Sequence, residues 1–443
     1  MSNPSQKTAL THHAVLVIAA PIILSNLSTP LLGLVDTTII GQLGDAHYIG
    51  AIAIGATIFN LLFWGFGFLR MGTTGLTAQA IGAKDDAELK AALARAGVIA
   101  VIAGAALIIL QVPLSWLILN LLEASDQVEA LSLEYFRIRI WSAPLALMNY
   151  ALLGWFIGMG RAGLALVLQI VLNGVNIALD AWFVLGLGMA ADGVALGTAL
   201  AELSAVLVGL WFVVRIFKQR GGTLTRGLIF DTERLKQTLS VNRDIMIRTL
   251  CLIGAFAWFT AQGAAMGDNV LAANAVLRNF LFTSAFLLDG FAMAAETLAG
   301  QAVGAKDLGS FRRAVQLSFG WAIGVSLALG IATLALGGPV IDFMTPNEEL
   351  RALSRVYLPW LAAAPLLGVA CYLLDGIFIG ATEARDMRNM MIISTAIYFA
   401  AWYVLTPLFG NHGLWAALMV FFVARGASLG IRLPRVIAKR FGT

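Results

Sequence analysis

Apolar residues run along this chain in long blocks separated by short polar segments. Twelve blocks stand out, at roughly 14–40, 48–81, 91–121, 129–159, 163–187, 193–217, 242–266, 270–303, 312–337, 350–380, 389–409 and 413–432. Each reaches the about 20 mostly apolar residues that a helix needs to cross a bilayer. None alternates with a period of two, so the blocks predict spanning helices rather than barrel strands. The expected fold is an all-α membrane protein with twelve transmembrane helices.

The blocks fall into two sets of six. The octapeptide Ala78-Gln-Ala-Ile-Gly-Ala-Lys-Asp85 recurs as Gly300-Gln-Ala-Val-Gly-Ala-Lys-Asp307, at an offset of 222 residues. Tyr135, Tyr150, Gly154, Phe156 and Gly158 recur at that offset as Tyr357, Tyr372, Gly376, Phe378 and Gly380. Pro144 answers Pro365 with a one-residue slip, and Trp182 and Gly193 answer Trp402 and Gly413 at offset 220. So ordered a series implies an internal duplication. The expected organisation is two pseudo-symmetric six-helix bundles, 1–217 and 242–443, joined by a cytoplasmic linker at 218–241. Duplicated membrane halves are a common transporter design. The linker region holds Gly221-Gly222 and a charged amphipathic piece, Asp231 to Asn242, expected to lie on the membrane surface.

Composition narrows the class. The chain is 59% hydrophobic and 12% charged, against about 25% charged residues in soluble domains. The first block is too long for a cleavable signal peptide. The net charge of +4 does not point to nucleic acid, because its distribution is one-sided. With the N-terminus inside, most Lys and Arg fall on the cytoplasmic face, and Arg137, Arg139, Arg351 and Arg355 fall outside. That bias places both termini in the cytoplasm. Cys251 and Cys371 lie within apolar blocks and read as core residues. His12, His13, His47 and His412 lie near block ends, which argues against a histidine-based catalytic or metal centre and so against an enzyme.

The two halves differ chemically. The first half carries Asp36 in block one, Asn176 and Asp180 in block five and Thr198 in block six. Aligning the halves gives Phe259, Ala396, Ala400 and Leu418 as their counterparts. Asn176 and Asp180 are four apart and share a helix face. An acid at the bilayer centre costs at least about 2.5 kcal/mol, which makes it a functional candidate by default. Such a pair of carboxyls can hold and release a proton near neutral pH. Carboxylate, amide and hydroxyl oxygens can equally bind Na⁺. The competing reading is a structural hydrogen-bond network tying blocks one, five and six together. Pro21, Pro30 and Gly33 precede Asp36 and make that helix a candidate hinge.

The second half carries Arg248, Arg278, Asp289, Glu296 and Asp375. With acids and bases both present, internal ion pairs are the simpler account. Asp289 and Glu296, seven apart on one face, together with Asp375, are candidates for a substrate cavity. Glu202 and Arg70 are a candidate pair within the first half.

Several stretches together resemble a known family. Pro30-Leu-Leu-Gly-Leu-Val-Asp36, Arg70-Met-Gly-Thr-Thr-Gly-Leu-Thr-Ala-Gln79 with Gly82-Ala-Lys, Asn242-Arg-Asp-Ile-Met246 and Leu374-Asp-Gly-Ile-Phe-Ile-Gly-Ala-Thr382 are similar to the multidrug and toxic compound extrusion (MATE) family, in its DNA-damage-inducible protein F branch. The resemblance covers nearly the whole chain. It implies two six-helix bundles around a central cleft in a bacterial inner membrane. It implies export of organic cations or other amphipathic compounds, driven by inward H⁺ in the first place or by Na⁺, with no other cofactor. It implies that Asp36, Asn176, Asp180 and Thr198 form the cation-coupling cluster, and a bend in the first helix fits Pro21 and Pro30. The expected partners are small amphipathic or cationic molecules and the bilayer itself, with no nucleic acid and a monomeric protein. The alternative is a lipid or lipid-linked oligosaccharide flippase of the same superfamily. Such proteins tend to carry a basic central cavity for phosphate, whereas the first half here is acidic.

Overall fold

A computed structural model describes residues 10–41, 46–119 and 125–442. The side chains at 29–34, 36, 37, 40, 46, 117–119 and 126 lie outside that description. The expectations placed on the side chains of Pro30, Gly33 and Asp36 therefore lie outside it too.

Every regular element among the described residues is helical. The order is α1 (His12–Gly41), α2 (Ala46–Gly65), α3 (Phe68–Gly82), α4 (Asp86–Ile109), α5 (Gln111–Leu119), α6 (Asp126–Arg139), α7 (Ala143–Gly158), α8 (Ala162–Asp180) and α9 (Ala191–Gln219). It continues with α10 (Arg226–Ile229), α11 (Thr232–Ala265), α12 (Asp268–Gly304), α13 (Leu308–Met344), α14 (Glu348–Gly380), α15 (Ala384–Phe409) and α16 (Asn411–Phe441). Among the described residues, eleven helical stretches are long and apolar enough to cross a membrane, and His12–Ser28 is a shorter apolar one. The protein is a multi-pass membrane protein.

Two compact units form. One comprises Leu24–Thr77 and Asp85–Asn242; the other comprises Met1–Ile23, Ala78–Lys84 and Arg243–Thr443. Residues 10–23 and the segment 78–84 thus pack with the second half of the chain, whereas the sequence pattern assigns them to 1–217. The presumed surface piece 231–242 is also different: from Thr232 it belongs to α11. Its charged turns extend that helix rather than forming a separate one.

The octapeptide is a stop-and-restart device. Lys84 and Lys306 both adopt left-handed backbone, with φ of 56° and 53°, and so end α3 and α12. The next residues cap the following helices. Asp85 accepts a hydrogen bond from the Glu88 N–H at 2.9 Å, and Asp307 accepts one from the Ser310 N–H at 3.1 Å. An N-cap carboxylate satisfies a backbone donor that the helix itself cannot.

The duplication also governs helix crossings. A Cβ on Gly154 would fall 2.3 Å from the Arg70 carbonyl oxygen, and one on Gly158 2.5 Å from that of Thr74. In the other unit, Gly376 and Gly380 stand in the same relation to Ala292 and Glu296, at 2.3 and 2.1 Å. Small residues four apart let membrane helices touch backbone to backbone. The core of the second unit is strongly aromatic, with Phe259, Tyr398, Trp415, Phe421 and Phe422 all buried.

Candidate functional site

The polar residues of the first half converge on α8. Gln169, Asn173, Asn176 and Asp180 recur at helical spacing along one side of it. Asp180 is 0% exposed and Asn176 is 2% exposed. The Asn176 Nδ2 donates to Asp180 Oδ2 at 3.0 Å and to Thr198 Oγ1 on α9 at 3.3 Å. The Thr198 hydroxyl donates in turn to the Val194 carbonyl at 2.9 Å. Three of the four residues expected to form the cluster are therefore brought together. The side chain of Asp36, the fourth, is outside the described residues.

Two features place Asp180. A Cβ on Gly197 would stand 2.1 Å from Asp180 Oδ1, so glycine there lets the carboxylate lie against the α9 backbone and a larger residue would push it aside. Immediately after Asp180, residues Ala181–Gly186 wind as a π-helical turn, with the Leu187 N–H donating to the Trp182 carbonyl at 3.0 Å. Single π-helical turns often mark functional positions because they re-aim the neighbouring side chains.

The π-helical turn also corrects the alignment of the halves. Gly160 and Thr382 precede α8 and α15 at offset 222, and both have positive φ, 74° and 53°. By the start of α9 and α16 the offset is 220. The extra residues of the first half sit at 181–190, after Asp180. Burial follows offset 222 through α8: Ala162, Leu168 and Asn176 are buried, and so are Ala384, Met390 and Tyr398. The counterparts of Asn176 and Asp180 are thus Tyr398 and Trp402 rather than Ala396 and Ala400, which are exposed, and Trp402 answers Asp180 rather than Trp182, which falls among the extra residues. Phe259 and Leu418 remain as expected and are buried. Where the first unit holds a hydrogen-bonded cluster, the second holds aromatic core, with Trp402 edge-on to Trp258 at 4.9 Å.

The sequence reading missed Ser28, Gln169, Asn173 and Gly197. Asn173 Nδ2 donates to Ser28 Oγ on α1 at 2.8 Å, and Gln169 Nε2 donates to Asn173 Oδ1 at 2.9 Å. The signal was available, because Gln169, Asn173, Asn176 and Asp180 are spaced by four, three and four.

Other charges find different partners from those expected. Glu202 faces Arg139 of α6 at 3.5 Å rather than Arg70. Its backbone carbonyl accepts from Asn149 Nδ2 at 3.1 Å. Asp375 does not stand alone in a cavity. Its Oδ2 accepts from Arg248 and also from Arg425, the latter at 2.6 Å, and all three side chains are buried. This is the ion-pair outcome. Asp289 and Glu296 both lie on α12, with Glu296 buried. Arg278 donates to Thr260.

An ionisable side chain buried inside a membrane-spanning helix is a functional-site candidate by default, and Asp180 is one. The sequence comparison carries the assignment further. A MatE family model matches residues 21–182 and 245–404, and the chain belongs to that family, the multidrug and toxic compound extrusion transporters. It is 42% identical to DNA damage-inducible protein F of Escherichia coli, over 93% of this chain and 90% of that protein. It is 22% identical to multidrug export protein MepA of Staphylococcus aureus, over 92% and 90%. Among solved structures, a Vibrio cholerae MATE transporter superposes with a TM-score of 0.88 at 19% identity, covering 98% of each chain. A MOP superfamily transporter from Pyrococcus furiosus superposes with a TM-score of 0.86 at 18% identity, covering 96% of each. At such identities the two structures speak for the fold alone.

Proposed function

We propose that the protein is an antiporter that exports organic cations and other amphipathic compounds in exchange for inward H⁺, with Asp180, Asn176, Thr198 and Asp36 as the coupling site. Both termini would lie in the cytoplasm of a bacterial inner membrane. The observation that carries this reading is the direction of the hydrogen bonds around Asp180. The Asn176 amide turns its nitrogen to the carboxylate and to Thr198. A hard cation such as Na⁺ needs oxygen ligands, so this arrangement suits a carboxyl that exchanges a proton.

Proton uptake from outside neutralises the buried carboxylate and removes its demand for the amide donor. The first helix then rearranges and the substrate cleft changes affinity. A membrane potential of about 100 mV adds about 2.3 kcal/mol per net charge moved, so it helps expel a neutral compound against one H⁺, whereas a monovalent cation exchanged for one H⁺ is driven by ΔpH alone. The test is dye efflux in proteoliposomes under an imposed pH gradient, with and without Na⁺. The expected result is efflux driven by ΔpH alone and lost in Asp36→Asn and Asp180→Asn. Full-rate, fully pH-dependent efflux by either variant would overturn the coupling assignment. An absolute need for Na⁺ would turn the cluster into a metal-ion site.

A further inference from the structure

We infer that Ser28 and Asn173 form a releasable tie through which the coupling cluster holds the first helix. The inference rests on the proton-coupling reading above and adds two positioning residues to it. Each hydrogen-bonding role in the tie is assigned. Gln169 donates to the Asn173 side-chain oxygen at 2.9 Å, which turns the Asn173 amide nitrogen toward α1. That nitrogen donates to Ser28 Oγ at 2.8 Å. The Ser28 hydroxyl spends its own proton on the Ser25 carbonyl at 2.7 Å, so it can only accept from Asn173.

The placement is what matters. Asn173 is 8% exposed and lies one turn before Asn176 on the same side of α8. Ser28 lies on α1, the helix that carries Asp36. One face of α8 thus bears both the titrating carboxylate and the grip on α1. The grip is a neutral amide–hydroxyl pair, which two helices can make and break more readily than an ion pair. Interhelical hydrogen bonds of this kind in membranes shift an equilibrium by about threefold. The elements packed on this part of α8 carry His12, His13 and Asp36 on α1, Tyr150 on α7, and Asp192, Glu202, Arg215 and Lys218 on α9. Asp192 accepts from its own helix start, the Ala190 N–H, at 2.8 Å, and Glu202 faces Arg139.

The sign follows from linkage. The tie belongs to the arrangement in which Asp180 is a carboxylate accepting from Asn176. Removing it makes the rearranged, protonated arrangement easier to reach, so the transition moves to higher pH. The experiment is hydrogen exchange of segment 24–41 against pH, corrected for intrinsic exchange, on the full-length protein in lipid nanodiscs. Wild type should show a pH-dependent opening of this segment, and Asp180→Asn should abolish it. Ser28→Ala and Asn173→Leu should raise its midpoint by roughly half a pH unit, the equivalent of about threefold. Ser28→Thr keeps the hydroxyl and should keep the wild-type midpoint. An unshifted or lowered midpoint in Ser28→Ala, with Asp180→Asn behaving as expected, overturns the tie and leaves the coupling site standing. A wild-type transition in Asp180→Asn, or none in wild type, overturns both.

Discussion

Gly82 and Gly304 pack reciprocally. A Cβ on Gly82 would stand 1.9 Å from the Gln301 carbonyl oxygen, and one on Gly304 2.0 Å from the Gln79 carbonyl oxygen. The two glycines are the same position in the repeated octapeptide, so the duplicated segments cross each other about a local two-fold relation. Gln79 strengthens the crossing by donating to the Gly380 carbonyl at 2.8 Å and to Thr382 Oγ1 at 3.1 Å.

Because both contacts are to backbone, Gly82→Ala and Gly304→Ala should each destabilise the protein by about 1–3 kcal/mol, the usual range for overpacking. Gly320→Ala, which meets nothing within 4 Å, is the control and should be close to neutral. Thermal unfolding in detergent distinguishes the two classes.

Gly197→Ala should act on function more than on folding. The new methyl group would meet the Asp180 carboxylate rather than backbone, and the side chain can move away. The displaced carboxylate loses its place beside Asn176. Efflux should drop about tenfold or more, which is the equivalent of about 1.4 kcal/mol or more within the overpacking range. Thermal stability should change little. Efflux rates and unfolding curves measured on one preparation check this.

Thr198→Val keeps the shape and removes the hydroxyl. It leaves Asn176 with one acceptor instead of two and removes the side-chain donor to the Val194 carbonyl. The expected effect is a several-fold fall in pH-gradient-driven efflux, smaller than that of Asp180→Asn, because one interhelical hydrogen bond contributes about 0.6–1.7 kcal/mol. A steady-state comparison of the two variants under one gradient ranks them.

Asp375→Leu should be the most destabilising of these changes. It strands the buried guanidinium groups of Arg248 and Arg425, which now share one carboxylate oxygen. Breaking such a group by removing one member costs about 3–5 kcal/mol. Loss of folded protein on size-exclusion chromatography, or a large fall in unfolding temperature, is the expected readout.

Lys90→Met tests the anchoring of the segment after α9. The Lys90 ammonium receives no solvent to speak of, at 6% exposure. It donates to the carbonyls of Phe217, Arg220 and Gly222, at 3.2, 3.2 and 2.9 Å. Without it, the segment 218–231 should be cut faster by added protease, while residues 85–119 remain protected. Limited proteolysis with peptide mapping reads both.

The apolar blocks, their number and their duplication are local properties of the chain. Block length follows from bilayer thickness, and the repeated octapeptide carries its own turn and cap, so both could be read from residue order alone. The same holds for the chemical asymmetry of the halves, because Asn176 and Asp180 are joined by helical spacing and need no tertiary contact to share a face.

What residue order could not decide is which helices meet. Every block is apolar on most of its surface, so pattern alone does not say which neighbour a polar side chain reaches. That is why pattern suggests Arg70 for Glu202 when Arg139 holds it, and why nothing in residue order joins Ser28 to Asn173. It is also why Asn176 and Asp180 were aligned with two alanines. The offset of the repeat changes by two residues between α8 and α9, and only the tertiary structure shows that the difference is absorbed in the π-helical turn beyond Asp180. The sequence by itself determined the spanning helices, the internal duplication and the acid within a span, while the fold decided that the start of the chain and segment 78–84 belong with the second half. The fold decided the acid's partners, because a hydrogen bond between helices depends on backbone approach, and that approach is set by glycines such as Gly197, whose contact lies on the neighbouring helix.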